Sequence, residues 1–340
     1  MKLLSIIIPT YNMEALLEKD LNSLVLENVE QRAKLDVIVV NDGSKDHSSE
    51  IAHQFAERYP EEFRVLDKPN GNYGSCINAA LPMIEGKYVR IMDADDTYYT
   101  ENLPAYLDVL EQQDAELVLS PYDKVDENGQ VVSHERLAVL GGGKKPFGYV
   151  QGFSVYMMHH VAYRSEIFRR IDYHQTEGIS YTDMEWVFHP MSEVRTAYFF
   201  DRPIYRYLVE RTGQTCDPAV RCKHLDHEVA VLMRMLSVLK NIPASNPAYD
   251  YLNRVIDYRV WTIYGMGLAK EATLDLNAFD KMLQRDYPEV HRRADSFVLD
   301  VGIFALKCHF IRAWRRVRSR KKMKFFPSYV LFCLMSRLRK

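Results

Sequence analysis

Short apolar runs alternate with amphipathic segments along the first part of the chain. Continuous apolar stretches at 3–8 and 35–40 are typical of strands that are buried on both faces. Apolar residues recur at helical spacing between them, and the same pattern predicts helices over 48–58 and 75–84. Buried strands separated by helices indicate a mostly parallel, mixed sheet that is flanked by helices on each side. The pattern therefore predicts an α/β fold.

Two of the predicted strands end in acidic turns. One turn, NDGS at 41–44, contains Asp42, and the other, DADD, contains Asp93, Asp95 and Asp96. Ligands of parallel sheets bind beyond the carboxyl ends of the strands, so we expect both turns on one ligand-facing edge. Clustered like charges repel one another, which indicates a cation among the three aspartates. Carboxylates spaced D-x-D can converge on Mg²⁺ or Mn²⁺, which takes further oxygen ligands from a diphosphate.

The composition is that of a globular protein with a substantial core. Hydrophobic residues make up 47% and charged residues 26% of the 340 residues, and the formal net charge of -2 does not suggest nucleic-acid binding. The five cysteines are scattered without CxxC spacing, which favours free thiols in a reducing compartment, so we expect a cytoplasmic location. No apolar run approaches the roughly 20 residues of a membrane-spanning helix.

From about residue 220 onward the pattern becomes helical, and we place a domain boundary near 215. One predicted helix face is shared by Val229, Leu232, Met233, Leu236 and Leu239. The last forty residues mix aromatic and basic side chains, and no Asp or Glu follows Asp300. Such a mixture predicts a peripheral contact with an anionic membrane surface, on its inner face. An ordinary helix with a solvated basic face is the alternative.

Five blocks of the sequence occur in the order and approximate spacing of one enzyme family: SIIIPTYN, VNDGSKD, PNGNYGSCIN, GKYVRIMDADD and YTDMEW. Over roughly residues 3–215 the chain resembles the family-2 glycosyltransferases, which have the GT-A fold. The resemblance implies a catalytic domain at 1–215, with a nucleotide-binding half at about 1–120 and an acceptor half at about 121–215. A helical C-terminal region with the basic tail follows at 216–340.

The same resemblance implies an activity. The enzyme would move a sugar from a nucleotide-diphosphate sugar, with UDP as the expected nucleotide, to a saccharide or a lipid-linked acceptor. Asp93 and Asp95 match the family's DxD pair, and Asp95 is the expected direct ligand of a divalent metal, Mg²⁺ or Mn²⁺. Asp96 lies close enough to share that role. The implied mechanism is a metal-assisted displacement that inverts the anomeric carbon.

Seven residues match the family's nucleotide-sugar site: Pro9, Tyr11, Asn12, Asp42, Asn78, Asp93 and Arg211. The first three correspond to the segment that lines the base pocket, and Asp42 corresponds to the aspartate that accepts a hydrogen bond from the base. Arg211 lies in RTGQT, where the family has a loop that closes over the diphosphate. Ile77 stands where many members carry an arginine, so that phosphate contact must come from elsewhere.

The general base is matched to Asp183, in the segment YTDMEW. Direct displacement requires a group that takes the proton of the attacking hydroxyl, and one carboxylate suffices. Thr182 stands where the family commonly has Glu. An aspartate that only caps a helix beginning at Met184 would look the same in the sequence. Glu185 is the second candidate for the base.

Two other functions are compatible with parts of this pattern. The run from Asp93 to Thr97 fits the D-x-D-x-T motif of haloacid-dehalogenase-type phosphatases, in which Asp93 would be a nucleophile. Those enzymes place the motif after their first strand. A non-catalytic nucleotide-sugar-binding protein is disfavoured because the matched aspartates are all present. We interpret Tyr73 and the pair His159-His160 as packing or rim residues.

Overall fold

The computed structural model describes residues 1–137, 143–146, 155–209, 217–269, 272–296, 299–301, 306–308, 311–312 and 314–315. The chain divides into two compact units. The first comprises Met1–Gln214 and Ser237–Leu252, and the second comprises Thr215–Leu236 and Asn253–Lys340. Within the part of the chain that the structure describes, no helix has both the length and the apolarity needed to cross a membrane.

The first unit is built on two sheets. Its strands, in chain order, are β1 (Leu4–Thr10), β2 (Leu35–Asn41), β3 (Phe63–Asp67), β4 (Tyr88–Ile91), β5 (Thr97–Tyr98), β6 (Leu117–Leu119), β7 (Tyr122–Val125), β8 (Val131–Glu135), β9 (Gly143–Pro146), β10 (Val161–Arg164), β11 (Thr196–Phe199) and β12 (Tyr205–Leu208). The larger sheet has the order β3-β2-β1-β4-β10-β6-β11-β9, and the smaller has the order β5-β12-β7-β8. β1 lies parallel between β2 and β4, whereas β10 runs antiparallel between β4 and β6. The larger sheet is therefore mixed.

Helices connect and cover these strands. The helices of the first unit are α1 (Leu17–Asn22), α2 (Val29–Arg32), α3 (Ser48–Arg58), α4 (Asn72–Ala80), α5 (Leu103–Gln112), α6 (Glu166–Arg170) and α7 (Asp183–Trp186). Short 3₁₀ helices lie at Leu81–Met83, Thr100–Asn102, Met158–His160 and Pro190–Glu193. The predicted helix at 48–58 is present as α3. The predicted helix at 75–84 is displaced, because α4 begins at Asn72 and a 3₁₀ turn follows it.

A turn separates β1 from the helix that follows it. Asn12 would be a natural N-cap, but its φ of 53° lies in the left-handed region, where an N-cap residue does not lie. Its side-chain carbonyl accepts the N–H of Lys45 at 2.8 Å, across from the turn that follows β2. Asn12 therefore joins two turns, and the first helical residue is Leu17.

A buried arginine connects β4 with the segment that precedes β10. Arg90 is fully buried, and its guanidinium donates to the Tyr106 hydroxyl at 3.2 Å and the Ser120 hydroxyl at 3.1 Å. It also donates to the backbone carbonyl of His159. A buried charge needs such partners, because leaving it unsatisfied is costly. Arg90 thereby anchors His159 beside the carboxyl end of β4.

The second unit consists mainly of helices, and two helices contribute residues to both units. The helices after β12 are α8 (Pro218–Lys223), α9 (Leu225–Leu239), α10 (Tyr249–Gly267), α11 (Leu276–Asp286) and α12 (Pro288–Ala294), with a short antiparallel pair, β13 (Leu299–Val301) and β14 (Leu306–Cys308). The predicted face of α9 is partly wrong, since Val229, Met233 and Leu239 are only partly buried. Glu228 is fully buried instead, because Arg221 and Arg259 both donate to its carboxylate.

One arginine of the basic tail has partners in the second unit. The Nε of Arg315 donates to Asp280 at 2.7 Å, and its terminal nitrogens reach Asp295 at 2.8 Å and the Tyr264 hydroxyl at 3.0 Å. Arg315 is therefore held within this unit. Residues 316–340 lie outside the described residues, so the membrane contact predicted for them stays a prediction.

Candidate functional site

The carboxyl ends of β1, β2 and β4 meet at one edge of the larger sheet. Thr10, the last residue of β1, pairs with Asn41, the last residue of β2. On the other side of β1, Ile7 pairs with Ile91, the last residue of β4. The two acidic turns continue from β2 and β4, so both lie at this edge on either side of β1.

Asp42 holds the glycine-rich loop against the edge. Its Oδ1 accepts hydrogen bonds from Lys68 Nζ at 2.6 Å and from the N–H of Gly71 at 2.9 Å. Its Oδ2 accepts the N–H of Asn72 at 2.9 Å, and the backbone N–H of Asp42 donates to Thr10 at 2.8 Å. Each carboxylate oxygen can accept two hydrogen bonds, so this arrangement is compatible with one further donor on Oδ2.

The segment matched to the base pocket lies beside Asp42. Pro9 is the last residue but one of β1 and pairs with Val40. Tyr11 exposes 40% of its surface, which leaves an aromatic ring at the edge on which a flat base can stack. The side-chain carbonyl of Asn12 is used by Lys45, so Asn12 shapes the edge from within the protein.

Asp93 is bonded to two tyrosine hydroxyls from distant parts of the chain. The Tyr73 hydroxyl donates to its Oδ1 at 3.0 Å, and its backbone N–H donates to the Tyr205 hydroxyl at 3.1 Å. Burial, followed by the charge of Asp95, raises the pKa of Asp93 to about 7. The site therefore disfavours a full set of ionised carboxylates unless positive charge is brought to it.

Asp96 is the buried member of the same turn. It is 1% exposed, and its two oxygens accept the Tyr205 hydroxyl at 2.6 Å and the N–H of Leu208 at 2.7 Å. Burial, followed by the charges of Asp93 and Asp95, raises the pKa of Asp96 well above its usual range. The turn is thus tied to β12 through Asp96.

Asp95 lines a cavity of about 270 Å³ next to the turn. Asp96 also contributes to the wall, together with the cationic side chains of Lys19 and Arg206. Lys19 is exposed, so the cavity has a charged rim toward solvent. Asp95 and Asp96 therefore both line this cavity, and Asp95 is the more exposed of the two.

A histidine completes a set of donor atoms that suits a divalent ion. One ligand atom each from Asp93, Asp96 and His159 lie within 4.8 Å of one another. Neither ring nitrogen of His159 has a hydrogen-bond partner among the residues that the structure describes, although the ring is buried. Burial, followed by His160 and Arg90, lowers the pKa of His159 well below its usual range, so the ring is neutral and can act as a ligand. The residues present therefore fit a divalent metal.

The candidate base lies on the Asp93 side of the edge. Asp183 is the first residue of α7 and Thr182 occupies the N-cap position, so the helix does not begin at Met184. Burial, followed by the charges of Asp93 and Asp183, raises the pKa of the Tyr73 hydroxyl well above its usual range. Asp183 is thus near enough to Tyr73 and Asp93 to act on them electrostatically. Glu185 is 3% exposed and accepts the N–H of Thr176 at 2.9 Å, which indicates a packing role.

Asn78, one of the residues matched to the donor site, is bonded to other parts of the protein. The side-chain amide of Asn78 donates to the Gln175 carbonyl and to Glu177, both at 2.8 Å, and its oxygen accepts the N–H of Gln175 at 2.8 Å. Asn78 therefore fastens α4 to the segment at 174–177, and its contact with a donor stays a prediction. Arg211 lies outside the described residues.

Sequence reasoning missed several groups around the aspartates. Neither Tyr205 nor Lys68 belongs to one of the matched sequence blocks. Strand pairing brings Tyr205 to the edge, and the loop conformation brings Lys68 there. Asp20 is fully buried on α1, and neither of its carboxylate oxygens has a hydrogen-bond partner within the described residues. Burial, followed by the charges of Asp95 and Asp93, raises the pKa of Asp20 well above its usual range. Asp20 lies among the apolar positions of this helix, next to Leu21, so the sequence could have indicated that it is buried.

Comparison with protein families gives one match to the first half of the chain. The model described as "Glycosyl transferase family 2" matches residues 5–172. This segment contains both acidic turns, the glycine-rich loop and β10.

Three proteins with similar sequences bear the name glycosyltransferase. The uncharacterized glycosyltransferase YibD of Escherichia coli is 27% identical over 218 residues, which cover 62% of this chain and 62% of that protein. An uncharacterized glycosyltransferase of Mycoplasma pneumoniae, the MG025 homolog, is 28% identical over 63% of this chain and 70% of its own length. The uncharacterized glycosyltransferase RC0461 of Rickettsia conorii is 32% identical over 37% of this chain. The chain spans less than two thirds of YibD and 20% of the Rickettsia protein.

Solved structures share the fold at low sequence identity. The crystal structure of S. aureus TarS 1-349 has a TM-score of 0.65 at 17% identity, covering 100% of this chain and 92% of that chain. The same TarS segment in complex with UDP-GlcNAc has a TM-score of 0.62 at 18% identity, covering 85% and 83%. The mannosyltransferase PcManGT of Pyrobaculum calidifontis, in complex with GDP-Man and Mn²⁺, has a TM-score of 0.51 at 19% identity, covering 85% and 82%.

Proposed function

Because the chain belongs to glycosyl transferase family 2 and has the GT-A fold, we propose that it transfers a sugar from a nucleotide-diphosphate sugar to an acceptor hydroxyl. The observation that carries the proposal is the meeting of the NDGS and DADD turns at one sheet edge, on either side of β1. One turn is suited to a base and the other to a metal-bound diphosphate, and a nucleotide sugar has both groups.

The donor is assigned to a UDP-sugar. The carboxylate of Asp42 suits the N–H of a pyrimidine base, and the exposed ring of Tyr11 offers a surface for stacking. The TarS complexes with UDP and with UDP-GlcNAc support a uridine donor, whereas the GDP-Man complex of PcManGT is a likeness at a lower TM-score. The acceptor is assigned to a saccharide or a lipid-linked saccharide.

The metal is assigned to the aspartates of the DADD turn. Asp95 and Asp96 line the cavity and Asp93 belongs to the same turn, so these side chains would hold the ion. When bound, a divalent ion there would neutralise the charge of the leaving diphosphate. The Tyr73 hydroxyl and the N–H of Leu208 hold the carboxylates in place from the protein side.

Asp183 is assigned as the general base of an inverting displacement. The acceptor oxygen forms a bond to the anomeric carbon while the bond from that carbon to the diphosphate breaks. The hydroxyl proton passes to the Asp183 carboxylate, and the electron pair of the broken bond leaves with the nucleoside diphosphate. This role is supported by the position of Asp183 near Asp93, and Glu185 is instead bonded to Thr176.

The phosphatase alternative finds no support in the fold. Asp93 follows β4 rather than the first strand, and its Oδ1 accepts the Tyr73 hydroxyl. The NDGS turn also has no role in that chemistry.

Asp95→Ala tests the proposal. We expect it to abolish metal-dependent turnover of the best donor from a nucleotide-sugar screen and to remove most metal-dependent nucleotide binding. Asp108→Ala is the matched control, because Asp108 is an exposed carboxylate on α5 and should behave like the unaltered protein. Undiminished turnover in excess chelator would contradict the metal assignment. Absence of turnover and binding with every nucleotide sugar would contradict the proposed function.

A further inference from the structure

His159 has an environment that its packing does not explain. It precedes β10 in a 3₁₀ helix, and its side chain is 10% exposed. The ring stacks on Tyr207 with centroids 4.5 Å apart and contacts Tyr205 at 4.8 Å. Neither ring nitrogen has a hydrogen-bond partner within the described residues. Leaving a buried polar group without a partner is unfavourable, so it calls for a ligand, an ion or a water.

The ring nitrogen points toward the acidic turn. His159 Nε2 lies 3.9 Å from Asp96 Oδ2, and a ligand atom of Asp93 completes the group within 4.8 Å. Two ligands of one ion lie at most about 4.4 Å apart when each bond is about 2.1–2.2 Å long. Small side-chain shifts therefore suffice for all three to reach one ion. Asp96 keeps spare lone pairs for it, because within the described residues its Oδ2 accepts one hydrogen bond from Tyr205 and its Oδ1 accepts one from Leu208.

We propose that His159 is a ligand of the divalent ion, forming with Asp93 and Asp96 a nitrogen-and-oxygen site that favours Mn²⁺ over Mg²⁺. Mg²⁺ prefers oxygen ligands in near-ideal octahedral geometry, whereas imidazole is a ligand of transition metals. The aromatic side chains around the ring hold it in place for this role. The inference rests on the proposed function only in that a divalent ion enters the DADD turn.

The neighbouring His160 provides a matched control. It is 7% exposed, close to the 8% of His159, and it contacts Tyr122 as His159 does. Its Nδ1 accepts the N–H of Met157 at 3.1 Å, so its hydrogen bonding is within the protein. Replacing either histidine by glutamine removes one buried imidazole, but only His159 has its ring nitrogen near Asp96.

The experiment measures nitrogen coupling to bound Mn²⁺ by pulsed electron paramagnetic resonance. His224, Asp226 and His227 form another described cluster with donor atoms within 4.8 Å, so His224→Gln is placed in every protein tested to disable it. We expect directly bound ¹⁴N in the otherwise unaltered protein and its replacement by ¹⁵N after labelling of the histidines. The coupling should vanish in His159→Gln and persist in His160→Gln. Mn²⁺ binding should weaken about 10–100-fold in His159→Gln, with a smaller change for Mg²⁺.

Three results would overturn the inference: bound Mn²⁺ without nitrogen coupling, coupling that survives His159→Gln, or no Mn²⁺ binding at all. If His159→Gln fails to fold, the labelled protein with an intact His159 is compared with labelled His160→Gln. This comparison still decides whether a histidine other than His160 binds the ion. Donor turnover is measured on the same samples. Turnover with Mn²⁺ but without nitrogen coupling rejects the His159 assignment alone, whereas nitrogen-bound Mn²⁺ without turnover of any nucleotide sugar rejects the proposed function alone.

Discussion

Two carboxylates only two positions apart have different environments on α7. Asp183 is partly exposed and acts electrostatically on Asp93 and Tyr73, whereas Glu185 is buried and bonded to the backbone of Thr176. The alternation follows from the helix, since residues two apart lie on different faces. One turn of sequence therefore contains both a candidate base and a packing residue.

Asp183→Asn should separate chemistry from donor binding. Removing the charge of a general base lowers the rate of transfer by about 10²- to 10⁴-fold, while the metal and diphosphate contacts stay intact. We expect donor affinity and melting temperature to change little. Glu185→Gln is the comparison, and we expect it to lower the melting temperature more than the rate of transfer. Near-normal transfer by Asp183→Asn, with loss of transfer in Glu185→Gln, would show that Glu185 is the base.

Asp20 makes stability depend on pH. Burial raises its folded pKa above the unfolded value of about 3.9, so the folded state holds the proton more tightly. The free-energy cost of burying the ionised Asp20 carboxylate is absent below the unfolded pKa. It grows as the pH rises through the folded pKa. Asp20→Asn has no such penalty, so its free energy of unfolding relative to the unaltered protein should increase from pH 5 to pH 8. Urea unfolding in chelator at both pH values checks this. A difference that does not vary with pH would show that Asp20 titrates normally.

At the scale of elements, α4 is pressed closely against the segment that follows α6. A Cβ added at Gly74 would lie 2.0 Å from the backbone oxygen of Thr176, and Asn78 on the same helix is bonded to Gln175. The helix carries the Gly71–Asn72 end of the loop that Asp42 holds. The close approach therefore determines where the glycine-rich loop stands at the sheet edge.

Gly74→Ala should destabilise the protein although alanine is the better helix former. The preference of helices for alanine is worth about 1 kcal/mol, but overpacking against backbone costs about 1–3 kcal/mol or more. We expect a net loss in the free energy of unfolding and weaker nucleotide binding. Gly267→Ala, in α10, is the control, because its Cβ would meet only the flexible end of Leu276 at 3.0 Å. Equal effects of the two substitutions in denaturant unfolding would contradict the close-approach argument.

At the scale of the whole molecule, the basic tail differs in composition from the rest of the chain, because no Asp or Glu follows Asp300. Arg315 is held by Asp280 and Asp295 within the second unit. The residues from 316 onward keep the mixture of aromatic and basic side chains that predicts an interfacial element.

The protein with its basic tail should sediment with anionic vesicles at low salt. Basic residues near such a surface contribute about 1 kcal/mol each, so binding should fall by at least about a hundredfold when Arg318, Arg320, Lys321 and Lys322 are replaced by Gln. Neutral vesicles and high salt are the controls, since salt screens the attraction. Failure of the unaltered protein to sediment at low salt would favour an ordinary helix with a solvated basic face.

The sequence by itself determined the layered fold and the acidic edge of this protein. Short apolar runs without alternation, separated by amphipathic helical segments, indicate strands covered on both faces, and such strands end together where NDGS and DADD stand. The tertiary structure alone decided which groups surround the aspartates. Tyr73, His159 and Tyr205 lie 20, 66 and 112 residues from Asp93 along the chain, and no local pattern marks them. His159 and Tyr205 reach Asp93 because β10 pairs with β4 and β12 pairs with β5, and Tyr73 reaches it from α4. Such long-range contacts depend on the packing of the whole unit.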